Sequence, residues 1–172
     1  MVGMLAMLVS VTALFAALVI AFVARSHAPK YWQPLQLPWG MWPSTALILT
    51  SSVTLEAARR AWAGMRAPGY RRWLTGTFAL GLGFMVSQGV ALSELASQGM
   101  YLRGNPHSSL FYIITGTHAL HVFGGILGLY YLIYQAKRPR LPDGNALHVT
   151  SVYWHFIDVL WIGLFLVLLH WR

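Results

Sequence analysis

VGMLAMLVSVTALFAALVIAFVA, the run from Val2 to Ala24, is 23 residues without a single charged side chain. About 20 apolar residues suffice for a helix to cross roughly 30 Å of hydrocarbon, so this stretch predicts a membrane-spanning helix at the start of the chain. A cleaved secretion signal would carry Lys or Arg ahead of an apolar core of about 7–15 residues. The run has no basic residue ahead of it and is too long.

The rest of the chain has the same character. Of its 172 residues, 57% are hydrophobic and 9% charged, against about 25% charged in soluble proteins. So few charges cannot clothe a water-soluble surface, which excludes a soluble enzyme. The net charge of +8 does not point to nucleic acid, because the basic residues fall in short clusters between long apolar runs, as topology signals do. There is no cysteine, so disulfides, thiolate catalysis, iron–sulfur clusters and Cys-ligated zinc are all excluded, and any metal site would need His and carboxylate ligands.

Four further runs complete an all-α reading: a single transmembrane domain over 1–172, with helices at about 2–24, 43–62, 73–97, 108–136 and 148–171. Between the first two, residues 25–42 hold Pro29, Pro34 and Pro38 with four aromatic residues, a composition suited to the headgroup layer. Pro43 is well placed in a first helical turn, but the second run is the least apolar, with Glu56, Arg59 and Arg60 at its far end. A basic hairpin containing Pro68-Gly69 leads to the third run. Asn105-Pro106 marks the turn before the fourth, and a linker with Pro139, Pro142 and Asp143-Gly144 precedes the fifth. Five spans put eight Lys and Arg on the side of the N-terminus and four on the other. Basic residues accumulate inside, so the N-terminus is expected in the cytoplasm and the C-terminus in the periplasm or outside the cell, with the chain a multi-pass protein of the inner membrane.

Small residues recur where helices could approach closely: Gly83, Ser87 and Ala91 in the third helix, Gly124 and Gly128 in the fourth, Ser51 and Ser52 in the second. Two pairs at membrane depth, His118/His121 and His155/Asp158, are each spaced i,i+3 and so share a helix face. Three readings compete for them. One is an interhelical hydrogen-bond network in which Asp158 accepts from a His or from Tyr153. Another is a His/carboxylate metal site or a bis-His haem, although no other helix repeats the ligand pattern. The third is a proton or ion path, poorly supplied with carboxylates. Ser and Thr at 50–54 more often bond to their own backbone than to a neighbour.

The residues Thr50-Ser51-Ser52-Val53-Thr54, the stretch from Ser109 to Val122 including Thr115-Gly116-Thr117-His118-Ala119-Leu120-His121, and Tyr153-Trp154-His155-Phe156-Ile157-Asp158-Val159-Leu160-Trp161 resemble subunit III of the haem-copper terminal oxidases. The five-run layout is similar to short bacterial members that lack the first two of seven helices. The resemblance implies an accessory subunit of the aerobic respiratory chain with no catalytic residues, haem or metal of its own. It would dock on catalytic subunit I and other oxidase subunits, which carry the haem and copper, and would bind phospholipid and assist proton uptake. It also implies carboxylates that this chain lacks, Val11 following Ser10 and Ala91 following Gln88, and His148 where an acid is common. Rival partners are a quinol oxidase or a nitric oxide reductase. Rival classes are an autonomous membrane cytochrome and a small transporter.

Overall fold

In the computed structural model, described for residues 2–26, 37–100, 106–137 and 144–170, the described residues form five helices: α1 (Val2–Ser26), α2 (Met41–Ala63), α3 (Ala67–Ser97), α4 (Pro106–Ala136) and α5 (Gly144–His170). Helices α1, α3, α4 and α5 are long and apolar enough to cross a membrane, and α2 is not among them. The chain is thus an all-helical membrane protein.

The ends of the helices follow from local chemistry. α3 begins six residues ahead of the expected start, because Pro68 sits in its first turn, where a missing N–H costs nothing. The reversal expected around Pro68-Gly69 lies instead at Gly64–Arg66, where the Met65 N–H donates to the Trp62 carbonyl and the Arg66 N–H to the Ala61 carbonyl. Met65 takes a positive φ of 53°, so this is a Schellman stop with methionine where glycine is usual. α3 ends in the same way at Gly99, φ 78°, with Gly99 and Met100 donating to Ala96 and Leu95. α2 starts at Met41, which leaves Pro43 in the first turn. α5 starts at Gly144, four residues ahead of His148. The Asn105 side of the turn before α4, the linker at 138–143 and the stretch 27–36 lie outside the described residues.

α2 and α3 form a tightly packed hairpin; α3 packs on α4, and α5 packs on both α4 and α2. The centre is aromatic and aliphatic, with Trp154, Trp161, Phe84, Phe111, Ile48 and Leu55 fully buried. Among the described helices α1 packs against α4 and α5 alone, and it buries Val11, Phe15 and Phe22. Lipid is as apolar as leucine, so burying apolar surface gives the bundle little driving force and its cohesion rests on packing and interhelical hydrogen bonds.

Candidate functional site

The polar residues at membrane depth meet along α2. Its hydroxyls each have one proton and two lone pairs, and the helix uses both. Ser51 Oγ donates to the Ile48 carbonyl at 2.6 Å and accepts from Trp154 Nε1 at 2.9 Å. Thr45 Oγ1 donates to the Met41 carbonyl and accepts from Trp161 Nε1 at 3.1 Å. Ser44 donates to the same carbonyl and accepts from the Gln88 amide at 2.8 Å. Thr54 and Thr77 share a hydrogen bond of 2.8 Å between α2 and α3, and Ser52 lies 2.6 Å from His155 Nδ1. The expectation of backbone bonding holds for Thr50, Ser51 and Thr54, yet Ser51 and Thr54 bond to a neighbouring helix as well.

The structure distributes the candidate residues rather than uniting them. His155 turns to Ser52 on α2. Tyr153, two residues earlier on the same helix, donates its hydroxyl to the His121 carbonyl on α4 at 3.0 Å. The His121 ring folds back on its own helix, with Nδ1 2.8 Å from the Thr117 carbonyl; a carbonyl only accepts, so Nδ1 carries the proton. His118 is fully buried and stacks on Trp161 at a ring separation of 4.8 Å, with Phe84 and Phe15 edge-on at 5.8 and 6.2 Å. Among the described residues neither of its nitrogens has a hydrogen-bond partner. Asp158 is 3% exposed; among the described residues neither a histidine nor Tyr153 bonds to it, and the side chain that lies against its carboxyl is Ser52. For Tyr153 the reason is rotational: at 100° per residue it leaves α5 on nearly the opposite side from the face that His155 and Asp158 share.

Trp154 is the residue that sequence reasoning passed over. Its ring is held between two glycines. A Cβ on Gly81 would come 2.8 Å from the ring, and one on Gly125 would come 2.9 Å from its other carbons. Of the small residues expected at helix contacts, a Cβ on Gly128 would come 3.3 Å from Thr150, while one on Gly83 or Gly124 would make ordinary contact with Leu47 or the Tyr153 hydroxyl. Ser87 donates to the Gly40 carbonyl at 2.8 Å, and a Cβ on Gly40 would stand 3.1 Å from that of Ala91. The buried position 91 is therefore small because the chain entering α2 crosses it. A tryptophan on one helix with a glycine on each of two others, Gly81 on α3 and Gly125 on α4, is the signal that could have revealed this centre.

Among the described residues no three His, Asp or Glu side chains come together as a metal site. At the end of α2, Glu56 pairs with Arg59 at 3.0 Å and with Arg60 at 3.5 Å, partly exposed contacts of small energetic weight.

Fold and polar residues together define a helical membrane protein whose inward-facing polar groups mostly join helix to helix. The family model for cytochrome c oxidase subunit III matches residues 1–172. A protein of Nocardia farcinica described as "Probable cytochrome c oxidase subunit 3" is 36% identical over 150 residues, covering 84% of this chain and 73% of the relative. One of Mycobacterium tuberculosis with the same description is 33% identical over 152 residues, 86% of this chain and 75% of the relative. The cytochrome c oxidase subunit 3 of Thermostichus vulcanus is 30% identical over 172 residues, 96% and 84% respectively. The chain belongs to the cytochrome c oxidase subunit III family.

Proposed function

We propose that this chain is a non-catalytic accessory subunit of a haem-copper terminal oxidase in the inner membrane, seated against the catalytic subunit that reduces oxygen and supporting its assembly and stability. The observation that carries this reading is the use of the polar side chains. Ser44, Thr45, Ser51, Ser52 and Thr54 are engaged by Gln88, Trp161, Trp154, His155 and Thr77, so these hydroxyls fix the register of the bundle. Haem and copper belong to the partner subunits in this reading, and phospholipid fills the open flanks of the bundle. Of the polar residues on α4 and α5, Tyr153 ties α5 to the His121 carbonyl of α4, His155 ties α5 to Ser52 of α2, His118 packs by its ring on Trp161, and Asp158 lies beside Ser52.

All five helices span the membrane in this reading, with the N-terminus in the cytoplasm. α2 has 23 residues, about 34 Å at 1.5 Å per residue, so it is long enough to cross. It is less apolar because its hydroxyls are satisfied by its neighbours. Its arginines reach toward the headgroups at the end that the basic residue count assigns to the inside.

A mild-detergent pull-down of the tagged chain from its native membrane, read by absorbance spectrum and partner identification, tests the proposal. Haem in the complex and none in the separated chain is the expected result. Haem in the separated chain, or no large haem-bearing partner at all, would overturn it.

A further inference from the structure

A cleft of about 420 Å³ opens between the last turns of α2 and the first turn of α5. Glu56, Arg59, Arg60 and Trp62 line it from α2, and Gly144 and His148 from α5. Its volume falls in the range of about 300–1,000 Å³ usual for small-molecule sites. The Trp62 ring lies against the start of α5: a Cβ on Gly144 would come 2.8 Å from it, so the two helices close this wall by the absence of a side chain at position 144.

The charges in the cleft do not balance. Glu56 is the single carboxylate among the described residues that line it, and it serves two guanidiniums, Arg59 at 3.0 Å and Arg60 at 3.5 Å. One positive charge is left over, and the longer contact belongs to Arg60, whose side chain is 81% exposed. A guanidinium presents five N–H donors in a fork that matches a phosphate, so both arginines have donors beyond those that one carboxylate takes up. An open groove of about 410 Å³ shares Glu56 and Arg60 with the cleft and continues along α2 past Ala57 and Val53 to Ser52, about 12 Å further along the helix. Val53 is 70% exposed. Basic at the helix end and apolar beyond it, this surface is complementary to a phosphate with an acyl chain attached. An acidic protein segment or a free anion would use the cleft and leave the groove empty.

We propose that this end of the α2–α5 seam binds one anionic phospholipid of the cytoplasmic leaflet. Arg60 and Arg59 hold the phosphate, Glu56 holds the two guanidiniums in place, Trp62 and His148 flank the headgroup, and one acyl chain follows Ala57 and Val53 along α2. The site, which rests on the topology proposed above, faces the cytoplasm, where anionic lipids concentrate and basic pockets between helices bind their headgroups. Unlike lipid along the open flanks of the bundle, it selects for headgroup charge.

Phosphatidylglycerol carrying a diazirine on its acyl chain, mixed as a minor component into phosphatidylcholine vesicles that hold the assembled protein, tests the site. On illumination it should label α2 at Val53 and Ala57. Unlabelled phosphatidylglycerol should compete about fivefold better than phosphatidylcholine, the weight of one uncompensated guanidinium at an anionic membrane surface. Arg60→Gln should abolish that preference. Glu56→Gln, which frees both guanidiniums for the phosphate, should strengthen it, whereas a purely structural Glu56 predicts a loss. Equal competition by the two lipids would show that the arginines meet only bulk headgroups. Absence of label at 53 and 57 would show that a partner protein covers the face, and competition by inorganic phosphate as effective as by phosphatidylglycerol would show a free-anion site. Each of these three results would overturn the proposal. Label elsewhere on the chain, competed equally by both lipids, reports that the helices sit in the bilayer, and the pull-down is read by haem. Failure of the lipid site is thereby separable from failure of the topology or of the accessory role.

Discussion

Two helix stops that differ by one residue show how much a single backbone position weighs. α2 and α3 end in the same hydrogen-bond pattern, but the left-handed position is Met65 in one and Gly99 in the other. A side chain in that region costs about 1–2 kcal/mol, which glycine avoids. Met65 is 81% exposed, so replacing it forfeits little packing. Met65→Gly is expected to raise thermal stability by up to about 1 kcal/mol, after the greater freedom of glycine in the unfolded chain is set against the relief; an unchanged or lower melting temperature would show that the turn is not strained. The opposite holds at Gly125. Alanine would gain about 1 kcal/mol in helix propensity, but its Cβ would stand 2.9 Å from a Trp154 ring pinned by Gly81 behind it and by the Ser51 hydrogen bond. Overpacking costs about 1–3 kcal/mol, so Gly125→Ala should be destabilising overall, seen as a lower melting temperature in detergent. Gly76, whose Cβ would meet nothing, provides the control, and Gly76→Ala should be neutral or stabilising.

Helix α2 joins the bundle through hydrogen bonds more than through apolar surface. Ser51→Ala removes the acceptor of Trp154 Nε1 inside the core and should cost about 0.6 kcal/mol, with about 1.7 as the upper range for membrane hydrogen bonds. Trp154→Phe should cost a similar amount, and the double variant should cost less than the sum, because one bond is lost in both. Equal additivity in unfolding midpoints would mean that the two residues act separately. The sequence made the helices legible because charge-free runs have a length that only a bilayer explains, and it marked 51 and 52 as contact positions. It did not show which helices those serines would engage: Ser51 and Trp154 are 103 residues apart, and pairing at that range depends on how each helix is rotated about its axis. For the same reason, the i,i+3 spacing correctly placed His155 and Asp158 on one face of α5, but left open that the face meets Ser52 of α2. The six-residue shift at the start of α3 had a local cause that was readable, a proline tolerated in the first turn.

At the scale of the molecule, the bundle has a core and a satellite. α2, α3, α4 and α5 are bound to one another by side-chain hydrogen bonds or close glycine contacts, whereas α1 rests on α4 and α5 with most of its surface outward. Its attachment includes Phe15, which is 2% exposed and meets His118 at 6.2 Å and His121 at 5.4 Å, both edge-on. Aromatic pairs of this geometry contribute about 0.5–1.5 kcal/mol each beyond area burial, and the remaining apolar contacts of α1 can be exchanged for lipid contacts at little cost. Phe15→Ala should therefore loosen α1 without unfolding the other four helices. The absence of cysteine makes the test direct: spin labels on single cysteines placed at Leu14 of α1 and Phe123 of α4, both exposed, report their separation. In Phe15→Ala the distance distribution should broaden while the melting transition of the bundle stays in place. A distribution as narrow as in the parent would mean that α1 is held by more than this aromatic contact, and a bundle that melts with it would mean that α1 belongs to the core.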